Sequence, residues 1–134
     1  MLGSRAVSTY TLEFYEDEKG DEPVRRWIRE ELTPTQRYEL GQAMREQLQE
    51  KGVAVCATEY GKQIGKGLFE FRLRRSVEET GQRILLWVFC HAYGNRVVLL
   101  LGGYDKGADS SARRQDREMA LARRRLADWG RRRT

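Results

Sequence analysis

The stretch Gly67-Leu68-Phe69-Glu70-Phe71-Arg72-Leu73-Arg74-Arg75 decides the reading of the whole chain. It alternates strictly. Phe69, Phe71 and Leu73 fall on one side of a strand, and Glu70, Arg72 and Arg74 on the other, because successive side chains in a strand point to opposite faces. An apolar face able to seal a core therefore backs a row of charges on one rigid element. Two strand-like runs follow, residues 83–90 and 96–101, so the row belongs to a sheet. A charged row of this kind suits a phosphate.

Working outward, residues 7–15 read as a first strand, with Tyr10, Leu12 and Phe14 on one side. Asp21 is placed to cap a helix opening at Glu22-Pro23, where proline is tolerated. Its apolar stripe is Val24, Trp27, Ile28 and Leu32. Thr33-Pro34-Thr35-Gln36 has the form of a capping box and opens a second helix carrying Leu40, Ala43, Met44 and Leu48, with Gly52 placed to end it. Two amphipathic helices with almost no linker predict an αα-hairpin lying against the sheet. Residues 53–67 read as a connecting loop. Its glycines are irregularly spaced and lack the flanking strand and helix of a phosphate loop, while Lys62 and Lys66 are free to line a site.

Residues 82–90 are apolar on both faces apart from Arg83, as in a central strand. Ala92-Tyr93-Gly94-Asn95 makes a hairpin turn into the last strand, and Gly102-Gly103-Tyr104-Asp105-Lys106-Gly107 leaves it. Asp109, Ser110 or Ser111 caps a final helix with the stripe Met119, Ala122, Leu126 and Trp129, ending near Gly130. The expected architecture is one α+β domain over residues 1–134. It has a twisted, mostly antiparallel four-stranded sheet, an N-terminal helical hairpin and a C-terminal helix.

The 134 residues are long enough for a core, and 40% apolar with 34% charged content is a globular composition. No run suits a membrane helix and the first residues lack the apolar core of a signal peptide, so a cytoplasmic protein is expected. Cys56, Cys90 and His91 show no metal-ligand spacing, and neither a metal, a cofactor nor a disulfide is expected. The net charge of +5 hides an asymmetry: residues 1–66 carry 10 basic and 12 acidic side chains, and residues 67–134 carry 15 and 8. A basic half suits a polyanionic partner, an acidic protein that masks it, or simply solvent.

The order of these pieces resembles the RelE/ParE toxin superfamily, most closely its phage-derived HigB-like branch. The residues that carry the resemblance are Gly67-Leu68-Phe69-Glu70-Phe71-Arg72, Arg83-Ile84-Leu85-Leu86-Trp87, residues 97–101 running into Gly103-Tyr104-Asp105-Lys106, and Glu118-Met119-Ala120 with Arg123. The resemblance implies a toxin of a toxin–antitoxin pair that cleaves messenger RNA on the ribosome without a metal. The ribose 2′-hydroxyl would attack the adjacent phosphate, leaving a 2′,3′-cyclic phosphate and a 5′-hydroxyl. It also implies a cognate antitoxin, a HigA-like helix-turn-helix protein. The family's basic positions fall on Arg72, Arg83 and Lys106, with Glu70 beside the first.

Where some members carry a tyrosine or histidine, this chain reads Ala112-Arg113-Arg114-Gln115-Asp116-Arg117. Arginine holds its proton too tightly to act as a base. Glu70, Tyr104, Lys106 and His91 are left as candidates for proton transfer. Arg74, Arg75, Lys62, Lys66, Arg113, Arg114 and Arg117 are candidate RNA contacts. The rival readings are a ParE-like gyrase inhibitor and a non-catalytic RNA- or ribosome-binding module. Arg123-Arg124-Arg125 and Arg131-Arg132-Arg133 read as a solvated helix face and tail, or as extra affinity for ribosomal RNA.

Overall fold

The computed structural model describes residues 10–133. In chain order these form β1 (Thr11–Phe14), α1 (Pro23–Glu30) and α2 (Pro34–Ala43). The latter runs on through a π-helical stretch (Met44–Leu48), the short α3 (Gln49–Lys51) and a 3-10 stretch (Gly52–Ala57). Then come β2 (Gly61–Gly65), β3 (Leu68–Val77), β4 (Gln82–Tyr93), β5 (Val97–Asp105) and α4 (Ala112–Arg133). Residues 7–9 of the expected first strand lie outside the described residues.

The chain is α+β, but the sheet has five strands in the order β1-β5-β4-β3-β2 and is mixed, because β1 runs parallel to β5 while the other neighbours are antiparallel. The extra strand is β2, in the segment expected to be a loop. Two glycines in five residues hide it. It survives as an edge strand, paired only with β3 across the tight turn Gly65-Lys66-Gly67, whose three residues all have positive φ. The helical hairpin is also absent. α1 packs on β5 and β1, whereas the 3-10 stretch after α3 packs on β2 and β3, so these segments spread across one sheet face instead of pairing along each other.

Thr33 does cap α2 with a full capping box: its Oγ1 accepts from the Gln36 backbone at 3.1 Å, and its own N–H donates to Gln36 Oε1 at 2.9 Å. α1 has no such cap. Glu22 occupies the position without a capping bond, its carboxylate pairing with Arg25 instead, and Asp21 pairs with Arg26. Gly102 and Gly103 do not leave the last strand; they continue it. A side chain on Gly103 would put its Cβ 2.5 Å from the Trp27 ring, so glycine here admits α1 to the sheet. Gly130 likewise lies inside α4.

Alternation on the central strands supplies two cores. Phe69, Phe71, Leu73, Leu86 and Val88 pack with Trp27, Leu40 and Leu48 from the N-terminal helical segments. Leu68, Trp87, Phe89, Leu99 and Leu101 pack with Ala122, Met119, Leu126 and Trp129 of α4. Helices therefore cover both faces. Two arginines expected to be solvated instead fasten α4. Arg123 donates to the carbonyls of Ile64 and Gly65 at 2.8 and 3.1 Å, and Arg125 to that of Leu101 at 2.9 Å.

Candidate nucleic-acid interface

The face of β3 that carries charge is the face that α4 covers in part. Register across the sheet turns it into rows. Glu70 pairs with Phe89; Arg72 with Trp87, which in turn pairs with Tyr104; Arg74 with Leu85; Ser76 with Arg83. Lys106 joins the Arg74–Leu85 row, because its backbone N–H donates to Leu85 O at 2.9 Å.

Trp87 is the hub. Its indole is 3% exposed and lies beneath three cations: the Arg72 guanidinium carbon at 5.4 Å from the ring centre, that of Arg74 at 5.1 Å and Lys106 Nζ at 5.3 Å. Cations over an indole face gain quadrupole attraction, worth about 0.5–1 kcal/mol at exposed sites. Attraction to one ring gathers like charges that would otherwise spread.

Glu70 holds the group from below. It is fully buried, and one carboxylate oxygen accepts from Arg72 Nε and Nη2 at 2.9 and 2.8 Å. The other oxygen accepts from Gln115 Nε2 at 3.1 Å. Gln115 Oε1 in turn accepts from Lys106 Nζ at 2.6 Å. The amide of Gln115, in the first turn of α4, thus links the Glu70–Arg72 pair to Lys106. Ser111 helps set that turn, its Oγ accepting from the Arg114 backbone at 3.1 Å.

Tyr104 is entirely buried in strand β5. Burial, and then the Glu70 charge, push its hydroxyl up to about 12. That hydroxyl and Trp87 Nε1 are buried without a hydrogen-bond partner among the described residues. Above the Tyr104 ring, at 5.2 Å, lies the Arg114 guanidinium, held by Glu118 at 2.8 Å.

Of the candidates read from the sequence, Glu70, Arg72, Arg74, Tyr104 and Lys106 therefore meet around Trp87. Arg83 shares the face but stands four residues, about 13 Å, along β4 from Trp87. Arg75 faces the other way and is paired with Glu39 of α2 at 2.8 Å, a bond that raises its pKa. Lys62 is exposed on β2 opposite Glu70, and Lys66 sits in the β2–β3 turn. Arg113 and Arg117 are exposed on α4. His91 is remote from the group, its Nδ1 2.7 Å from Gly67 O and its ring stacked on Tyr93.

Neither Gln115 nor Trp87 was among the site candidates read from the sequence, although Trp87 stands in the stretch that carries the resemblance. Trp87 was legible in principle, as the aromatic at the centre of the odd row Arg83, Leu85, Trp87, Phe89. Gln115 was not, because only the docking of α4 brings it to Glu70.

Among the described residues no cluster of His, Cys, Asp or Glu could hold a metal ion, and no helix is long and apolar enough to cross a membrane. The chain matches no protein-family model and no curated protein.

Proposed function

We propose that this chain is a toxin of a toxin–antitoxin pair, acting in the cytoplasm as a ribosome-dependent endoribonuclease that needs no metal. The observation that carries the reading is the convergence of Arg72, Arg74 and Lys106 over Trp87. A phosphodiester passing to a pentavalent transition state gathers negative charge on its non-bridging oxygens. Preorganised cations stabilise that charge more than they stabilise the ground state.

The roles follow from the bonding. Arg72 is fixed by Glu70 and presents its remaining N–H groups to a phosphate oxygen. Lys106, just past the end of β5 and fixed by Gln115, stabilises the same charge and donates a proton to the departing 5′-oxygen, recovering one from water. The 2′-oxygen bonds to phosphorus as the bond to the 5′-oxygen breaks, and the 2′-hydroxyl proton passes to solvent. Glu70 positions Arg72, since both of its oxygens are engaged in a buried site. A cognate antitoxin of the HigA-like, helix-turn-helix kind would silence the protein by covering this basic face.

A second reading, an RNA-binding module without cleavage, is favoured by the same engagement of Glu70 and by the burial of Tyr104. One experiment separates the two. The purified chain is added to ribosomes translating a defined message, and the 5′ ends are mapped. The nuclease reading expects new 5′-hydroxyl ends inside the frame, reduced about 10²-fold or more by Lys106→Ala. RNA binding without new ends supports the module. Inhibition of gyrase supercoiling with neither RNA result would replace both.

A further inference from the structure

We infer that the same face holds a second phosphate subsite, built from Arg74, Ser76 and Arg83, so that the protein grips two consecutive phosphates of an extended single strand. The inference rests on the RNA reading above and adds to it.

At the twisted end of β3 and β4 lies a pocket of about 150 Å³, lined by Arg74, Arg75, Ser76, Arg83, Ile84 and Leu85. Register puts Ser76 directly opposite Arg83, and Arg74 opposite Leu85. Arg74 and Arg83 are therefore diagonal neighbours on one face, where Cβ atoms stand roughly 7–8 Å apart and long side chains meet. Neither forms an ion pair among the described residues. Arg75 also lines the pocket, but its guanidinium pairs with Glu39 on the other face of β3.

Arg72 and Arg75 on β3 and Arg114 on α4 each have a carboxylate partner. Arg74 and Arg83 both line this pocket with no carboxylate partner among the described residues, so an anion seated there meets two uncompensated cations. Ser76 adds a hydroxyl at the same spot. An oxyanion of phosphate size fits the volume and can take charge-assisted bonds from both forks.

The spacing identifies the anion. The Arg74–Ser76–Arg83 group is centred about two strand residues beyond the Arg72–Lys106 group, roughly 7 Å along β3. An extended nucleotide chain advances by a comparable step per phosphate. Arg74 stands between the groups, over Trp87 and on the pocket wall, and is shared by both. Strand geometry sets the step between the subsites, so they suit a single strand drawn out along β3. Arg83 then belongs to the neighbouring phosphate, and Arg72 and Lys106 to the one that reacts.

Uncleavable deoxyuridine dinucleotides test this by calorimetric titration at low salt, using dUpdU and the same molecule with one added terminal phosphate, at the 5′ end in one probe and the 3′ end in another. The expected result is that the added phosphate tightens binding on the order of tenfold at one end. Arg83→Gln removes that increment. Lys106→Gln weakens every probe and keeps the increment. Arg83 is exposed and has no ion pair among the described residues, so its variant should fold, which a thermal melt verifies. An increment absent at both ends, or one that survives Arg83→Gln, overturns the subsite and leaves the RNA reading standing. Failure of every probe to bind the wild-type chain overturns both.

Discussion

At the residue scale the Glu70–Arg72 pair is asymmetric, and the asymmetry makes a prediction. Glu70 is fully buried, whereas the Arg72 side chain retains 19% exposure. Removing Arg72 strands a carboxylate away from water, while neutralising Glu70 leaves a guanidinium that can still reach solvent. Arg72→Ala should therefore cost about 3–5 kcal/mol in urea denaturation, and Glu70→Gln distinctly less. Loss of RNA cleavage in Arg72→Ala consequently needs a folded-state control, which is why Lys106 is the cleaner probe of chemistry.

Tyr104 gives the pH dependence. Its folded-state pKa is raised to about 12 from an ordinary 10.0, chiefly by burial. The folded state thus keeps a proton that the unfolded state loses. The stabilisation it contributes is complete below pH 10 and falls away as pH rises toward 12. Tyr104→Phe should abolish that alkaline loss in denaturation curves at pH 10 to 12, and should leave stability at pH 7 unchanged or higher, because the hydroxyl it removes has no partner among the described residues. A large loss at pH 7 would show that the hydroxyl is bonded.

At the scale of elements, β5 is the strand whose extent matters most. Its continuation through Gly102 and Gly103 carries Tyr104 beneath the site and delivers Lys106 beside Leu85. Gly103→Ala should destabilise by about 1–3 kcal/mol in urea denaturation, because the new methyl would meet the Trp27 ring at the contact between α1 and the sheet. A variant as stable as the wild type would mean that α1 can shift freely on the sheet.

The sequence made β3, β4 and α4 legible because their patterns are strong. Phe69-Glu70-Phe71-Arg72-Leu73 alternates without a fault, and Met119, Ala122, Leu126 and Trp129 keep helical spacing. Gly61-Lys62-Gln63-Ile64-Gly65 offered one apolar residue in five, and its strand exists only because β3 lies beside it. The paired glycines of β5 looked like a stop for the same reason: local preference says loop, and tertiary packing of Trp27 requires strand. The candidate site divides along the same line. Residues on β3 were placed by alternation, whereas the link from Glu70 through Gln115 to Lys106 depends on how α4 docks.

At the scale of the whole molecule, the two helical layers explain why the basic half of the chain has a usable face. α4 packs on β5 and β4 and buries Leu68, Phe89 and Glu70, then leaves Arg72, Arg74 and Arg83 uncovered toward the other end of β3 and β4. Much of the remaining positive charge is spent on structure: Arg123 and Arg125 hold backbone carbonyls, Arg132 pairs with Asp128, and Arg133 stacks on Tyr93 and Trp129. Net charge therefore overstates what a polyanion can use, and the rows around Trp87 concentrate what remains.

The most direct measurement of the central claim is the salt dependence of binding to a short single-stranded RNA, for the wild type and for charge-removing variants. The rows around Trp87 predict that Arg74→Gln and Lys106→Gln each flatten the slope of log affinity against log salt by about 0.7, one phosphate contact apiece. They also predict that Arg113→Gln and Arg117→Gln on the exposed flank of α4 change it little. Slopes that stay fixed in the first pair and flatten in the second would place the RNA on α4 and contradict the account.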